Sequence, residues 1–238
     1  MRHLVLALAL ALLAAPAFAE DVELELVLLA DASGSIDAAE IRFQRQGYAD
    51  AITDPRVLDT IANTAYGRIA VTYVEWAAAS TEDVVVPWTI IDGPESAAGF
   101  ADALIPPPRR AFGRNSIGSA LLFGKRLIEE NDITGWRKVI DFSGDSVRNW
   151  GGPPIETARA EVLEAGIVIN GLAILCRGCS GRPSGDDLER LYEERIIGGP
   201  GAFVVTADGA EDFADAVRRK LILEISGTPP LRVIASER

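Results

Sequence analysis

Histidine is almost missing from this chain: the only one is His3, two residues from the start. Without it, Ser-His-Asp and Cys-His nucleophiles, imidazole general bases and histidine-ligated zinc are all closed to the rest of the sequence. No Gly-x-x-x-x-Gly-Lys-Ser/Thr loop cradles a phosphate, and no Gly-x-Ser-x-Gly turn presents a nucleophilic serine. Cysteine is scarce too, with only Cys176 and Cys179, and two thiolates without histidine make an incomplete zinc site. Long apolar runs are also lacking. The one candidate, Leu4 to Ala15, is shorter and richer in alanine than a membrane-spanning helix, and no stop-transfer pattern follows it.

That run has another reading. Met1-Arg2-His3 gives a positive start, the apolar stretch follows, and Ala17-Phe18-Ala19 supplies a small-x-small end before Glu20. These are the three parts of a secretory signal peptide, so residues 1–19 are set apart from the fold. The expected location is the periplasm or the exterior, with no membrane insertion after cleavage. Without Arg2, 22 basic residues face 35 acidic ones, a net charge of −13. An acidic surface of that size repels nucleic acid and anionic membranes. The organisation expected is a domain over 20–227 and an extended tail over 228–238, which carries Pro229-Pro230. No internal repeat or low-complexity block interrupts it.

Strand and helix patterns alternate along the domain. Leu24 to Ala30 is a short apolar run ending at Asp31, as in a strand buried on both faces. A helix follows over Ala38–Ile52, with Asp37 as N-cap and Glu40 three residues on. Arg68–Trp76 and Asp83–Ile91 are β-rich and close together, which predicts an antiparallel hairpin. A short helix over Ser96–Leu104 stops at Pro106-Pro107-Pro108. The second half reads as a helix over Ile117–Glu130, a strand over Lys138–Phe142, a helix over Ile155–Ala165 closed by Gly166, and a strand over Ile167–Leu175. A helix over Gly185–Arg195, a strand over Ala202–Val205 and a last helix over Glu211–Ile225 complete it. The fold class is therefore α/β, doubly wound: a mostly parallel central sheet with one antiparallel edge strand and helices on both faces.

Such sheets bind ligands beyond the carboxyl ends of their strands, where the strand order reverses. Asp31-Ala32-Ser33-Gly34-Ser35 occupies that end of the first strand, and Ser143-Gly144-Asp145 the same end of the strand Lys138–Phe142. Between them in sequence, Arg114-Asn115-Ser116-Ile117-Gly118 opens a helix. Three loops meeting there would gather two carboxylates and several hydroxyls. Hard oxygen donors of this kind suit a divalent cation, Mg²⁺ first and Mn²⁺ or Ca²⁺ as alternatives. A first shell of neutral hydroxyls leaves such an ion electron-poor and open to an acidic group from outside.

In these residues the chain resembles the von Willebrand factor type A superfamily, which includes the integrin I domains. Its members carry Asp-x-Ser-x-Ser after the first strand, a Thr from a second loop and an Asp from a third, together forming the metal-ion-dependent adhesion site (MIDAS). Asp31, Ser33 and Ser35 match the first element and Asp145 the third. The stretch Ile140–Asn149 and the segment Ile197–Val204 look like a secreted bacterial branch of that superfamily. The resemblance covers about residues 22–226. It implies a metal site of Asp31, Ser33, Ser35, Asp145 and a residue of the second loop, engaging an exposed Asp or Glu of a protein partner. The second loop departs from the pattern: Asn115 stands at the Thr position, with Ser116 as the neighbouring alternative, and this bears on metal affinity more than on fold.

Other residues admit two readings each. Cys176 and Cys179, in an exported chain, favour a disulfide in a loop; the alternative is a periplasmic thiol–disulfide protein using the same pair. Arg109, Arg110 and Arg114 either attract an acidic partner or form local ion pairs in a solvated loop. Trp150 is either an exposed partner contact beside Asp145 or packed beneath its loop. Asp141 is expected at a strand end, hydrogen-bonded locally. No catalytic constellation emerges, so the reading is a non-enzymatic binding module.

Overall fold

The computed structural model describes residues 20–175, 188–208 and 210–228. The expected leader over 1–19, both cysteines and the tail beyond 228 lie outside the described residues. Among the described residues thirteen elements run in the order β1 (Glu20–Asp31), α1 (Ala38–Ile52), α2 (Pro55–Ala62), β2 (Ile69–Trp76), β3 (Asp83–Ile91), α3 (Pro94–Leu104) and α4 (Ile117–Glu129), then β4 (Ile133–Gly144), α5 (Ile155–Glu164), β5 (Val168–Ile174), α6 (Leu188–Arg195), β6 (Val204–Ala207) and α7 (Ala210–Ser226).

The strands form one sheet in the order β3-β2-β1-β4-β5-β6, and every neighbouring pair is parallel except β2–β3. The chain builds outward from β1 through β2 to β3, then returns to add β4 on β1's other side. The reversal of strand order therefore falls between β1 and β4. The sheet is the one expected, down to the antiparallel edge formed by the β2–β3 hairpin.

Alternation along β1 shows how both faces are filled. Leu24, Leu26 and Leu28 pack with α1, α2, α3 and α7, through Tyr48, Val57, Phe100 and Phe213 among others. Val27 and Leu29 point the other way, into a second core with α4, α5 and α6, through Leu121, Val162 and Tyr192. Burial on both faces is why β1 reads as a continuous apolar run rather than an alternating one.

Local signals fix the helix ends. The side chain of Asp37 accepts from the N–H groups of Ala39 (2.7 Å) and Glu40 (2.9 Å), and Glu40 Oε2 accepts from Asp37 N–H at 2.6 Å, a complete capping box. At the end of α5, Gly166 takes φ +75°, its N–H donates to Leu163 O, and Ile167 N–H donates to Val162 O. This is the Schellman closure a C′ glycine permits.

Two expectations need correction. Helix α2 is additional: Asp54 caps it and Pro55 starts it, but only Val57 and Ile61 are buried, too brief an apolar pattern to stand out. Asp141 is not a locally bonded strand end. It is buried in mid-sheet, 2.7 Å from Lys220 Nζ of α7, and Lys220 also pairs with Glu224.

A candidate cation site at the switch point

Parallel pairing places Leu29 of β1 opposite Phe142 of β4, so the two strands deliver Asp31 and Asp145 side by side at their carboxyl ends. Asp31 is 1 % exposed. Its Oδ1 accepts the N–H of Ser33 at 2.7 Å, which turns the first loop back on itself. Its Oδ2 is shut from water and, among the described residues, has no hydrogen-bond partner. Burial, and then the negative charge of Asp145, push the Asp31 carboxyl up to about 7, against hydrogen bonding from Ser33 and the Asp145 backbone. Asp145 is also raised by burial, opposed by a hydrogen bond from the Ser35 hydroxyl. The hydroxyls of Ser33 and Ser35 lie 3.2 Å apart. Thus all four residues expected from the first and third loops converge.

The second loop joins them through its backbone. Gly34 N–H donates to Gly113 O at 2.8 Å, Ser116 N–H to Ala77 O at 2.8 Å, and Trp150 N–H to Asn115 O at 2.8 Å. Asn115 and Ser116 are both buried, but their side chains differ in commitment. The Ser116 hydroxyl bonds to Ser119 Oγ and Gly151 O, each at 2.8 Å. Asn115 Nδ2 donates to Ser146 Oγ at 3.3 Å, beside Asp145. Among the described residues no group of three or more His, Cys, Asp and Glu side chains is gathered in one place. The donor set here is instead two carboxylates, hydroxyls and an amide.

Several supporting residues gave no direct sign in the sequence. Arg109, weighed there as an attractor of acidic partners, is turned inward: its guanidinium donates to the carbonyls of Ala32, Ser33 (3.1 Å), Ile36 (2.9 Å) and Ala111 (2.9 Å). It fixes the backbone of the first loop from below. Gln44 Nε2 holds Asp31 O at 3.1 Å, and Tyr192 donates its hydroxyl to Gly144 O at 2.8 Å. Gly144 leaves space for the carboxylate, since a Cβ there would stand 3.0 Å from Asp31 Oδ2. The glycine in Ser-Gly-Asp was the one legible hint of this close approach.

On the rim, Arg110 is exposed and 3.9 Å from Asp83. The Arg114 guanidinium sits 5.0 Å from the centre of the Trp150 ring, and Trp150 is 59 % exposed, so the tryptophan lies on the surface and not beneath its loop.

Strand order, the antiparallel edge and the loop cluster at the β1–β4 switch give the chain a von Willebrand A-like fold. Solved structures share this fold. The pilus adhesin SpaC from Lactobacillus rhamnosus GG superposes with a TM-score of 0.60 at 14% identity, over 87% of this chain and 31% of that one. The mussel byssus proximal thread matrix protein 1, in a form with a zinc-occupied MIDAS motif, gives 0.60 at 17% identity over 87% and 49%. A von Willebrand factor type A protein from Catenulispora acidiphila gives 0.54 at 16% identity over 86% and 43%. The chain thus spans less than half the length of each of these three. By sequence, residues 21–229 match the model of the family described as "Protein of unknown function (DUF1194)", and the chain belongs to that family. Among curated proteins no sequence matches.

Proposed function

We propose that this domain is an exported, non-enzymatic protein-binding module. Its three loops hold a divalent cation that takes a carboxylate from a protein partner. The observation that carries this reading is the Asp31 carboxylate: it is buried, has one oxygen without a hydrogen-bond partner among the described residues, and lies beside a second carboxylate. A buried anion beside another anion is unfavourable unless positive charge compensates it. A cation supplies that charge. Ser33, Ser35 and Asn115 would hold it, backed by Asp31 and Asp145; the prior engagement of the Ser116 hydroxyl favours Asn115 in the second loop. Oxygen donors alone favour a hard ion, with Mg²⁺ first and Mn²⁺ or Ca²⁺ as alternatives. When bound, the ion acts as a Lewis acid toward the incoming carboxylate.

Binding and not catalysis is the reading because a chain without histidine beyond His3 has no imidazole base, and both site carboxylates are engaged in holding loops or ion. The signal-peptide pattern of residues 1–19 supports an encounter outside the cytoplasm. Among the described residues no helix is long and apolar enough to cross a membrane. Affinity capture from a cell-envelope extract tests the proposal. A specific partner should be retained in Mg²⁺, released by EDTA, and not retained by Asp31→Ala. Equal retention with and without metal sinks it.

A further inference from the structure

Two of the three loops are basic against the acidic background of the molecule, while the first loop carries Asp31 and Asp37. The chain carries a net charge of −12, yet residues 105–116 and 145–154 contain Arg109, Arg110, Arg114 and Arg148 against the single carboxylate of Asp145. These arginines are not equivalent. Arg109 is committed to backbone carbonyls, and Arg110 stands near Asp83. Arg114 is exposed, and among the described residues no carboxylate lies within ion-pairing distance of it.

Arg114 is also preorganised. Its guanidinium lies over the Trp150 ring, 5.0 Å from the centroid, and the backbone N–H of Trp150 donates to Asn115 O at 2.8 Å. The stack therefore borders the second-loop residue assigned to the ion. An arginine resting over an aromatic ring can still present its N–H groups for a two-pronged bond to a carboxylate, which a lysine cannot make. Stacking also removes part of the side-chain entropy that ordering an exposed arginine would otherwise cost.

We propose that the Arg114–Trp150 stack takes a second carboxylate of the same partner segment, so that the module reads a pair of acidic residues, one at the ion and one at Arg114. This rests on the cation reading above and specifies its ligand: an acidic peptide segment, not an isolated Asp or Glu.

The test uses a library of displayed twelve-residue peptides, bound to the protein in Mg²⁺ and eluted with EDTA. The eluted peptides should be enriched in two nearby acidic residues. For one such peptide, fluorescence anisotropy should show that replacing the second acid weakens binding to the wild type about tenfold, the effect of one lost charge-assisted pair. The same replacement should change little in Arg114→Ser, Arg114→Lys or Trp150→Leu, each checked for wild-type thermal stability. Peptides with a single acid, an unchanged effect of the second acid in Arg114→Ser, or full retention of that effect in Arg114→Lys would each overturn the proposal. Elution of no peptide by EDTA would instead overturn the cation reading, and this one with it.

Discussion

Among single residues, Asp31 is the one on which the cation site most depends. Its carboxyl titrates in the folded protein at about 7, against 3.8 for an ordinary aspartate, because it is buried beside Asp145. A raised acid favours folding below its unfolded value, and that contribution is lost as pH rises through the folded one. The metal-free protein should therefore lose stability between about pH 4 and pH 7 on this residue's account. A bound cation offsets the cost of the ionised form. The rise in melting temperature produced by Mg²⁺ should accordingly be larger at pH 8 than at pH 5.5, and absent at both in Asp31→Asn. Glu224 is likewise raised to about 7, chiefly by burial, and adds to the same loss in metal-free protein. It lies away from the loops, so Glu224→Gln should flatten the metal-free pH profile and leave the Mg²⁺ increment intact. Thermal denaturation at the two pH values, with and without Mg²⁺, checks both. Asp31 and Ser33 drew notice because a buried strand precedes them and Asp145 follows a second strand, since Asp-x-Ser-x-Ser alone is also a common turn pattern. The role of Arg109 was not legible, since a guanidinium in a loop reads the same whether it faces solvent or four backbone carbonyls.

At the scale of elements, helix α7 is tied to the sheet by charge as well as by packing. Lys220 is fully buried between Asp141 of β4 and Glu224 of its own helix, and Asn170 Nδ2 of β5 donates to Glu224 at 3.0 Å. Removing one member of such a group leaves buried charge without compensation. Lys220→Met should destabilise the fold by about 3–5 kcal/mol at pH 8, and by less at pH 5, where Asp141 and Glu224 more readily take up protons. Urea denaturation at both pH values reads this, and a loss under about 1 kcal/mol would mean that the group is effectively solvated. Nothing in the sequence announced this pairing. Asp141 and Lys220 are 79 positions apart and sit in segments whose apolar pattern masks a single charge. Boundaries were legible where a cap or a glycine marked them, as at Asp37 and Gly166. They were lost where a strand ran on through unlike residues: β4 begins at Ile133, five residues ahead of the expected start, through Gly135 and the charged Arg137. β6 begins two residues late, because Ala202 is still in a turn closed by its N–H to Gly199 O at 3.2 Å.

For the whole molecule, the doubly wound sheet does one thing that no single loop does. It brings the ends of β1 and β4 together and lets the loop before α4 close over them. The class of fold was legible because alternation and one hairpin restrict the sheet to few arrangements. The convergence of Asn115 with Asp31 and Asp145 was an inference from that class and not from spacing. If this convergence makes one cation site, titration of the purified protein with Mn²⁺, following the free ion by electron paramagnetic resonance, should reveal it. One saturable site per chain is expected, displaced by Mg²⁺ and lost in Asp31→Ala and in Ser33→Ala with the fold intact. Mn²⁺ binding that is equal in wild type and Asp31→Ala, or no binding at all, would contradict it.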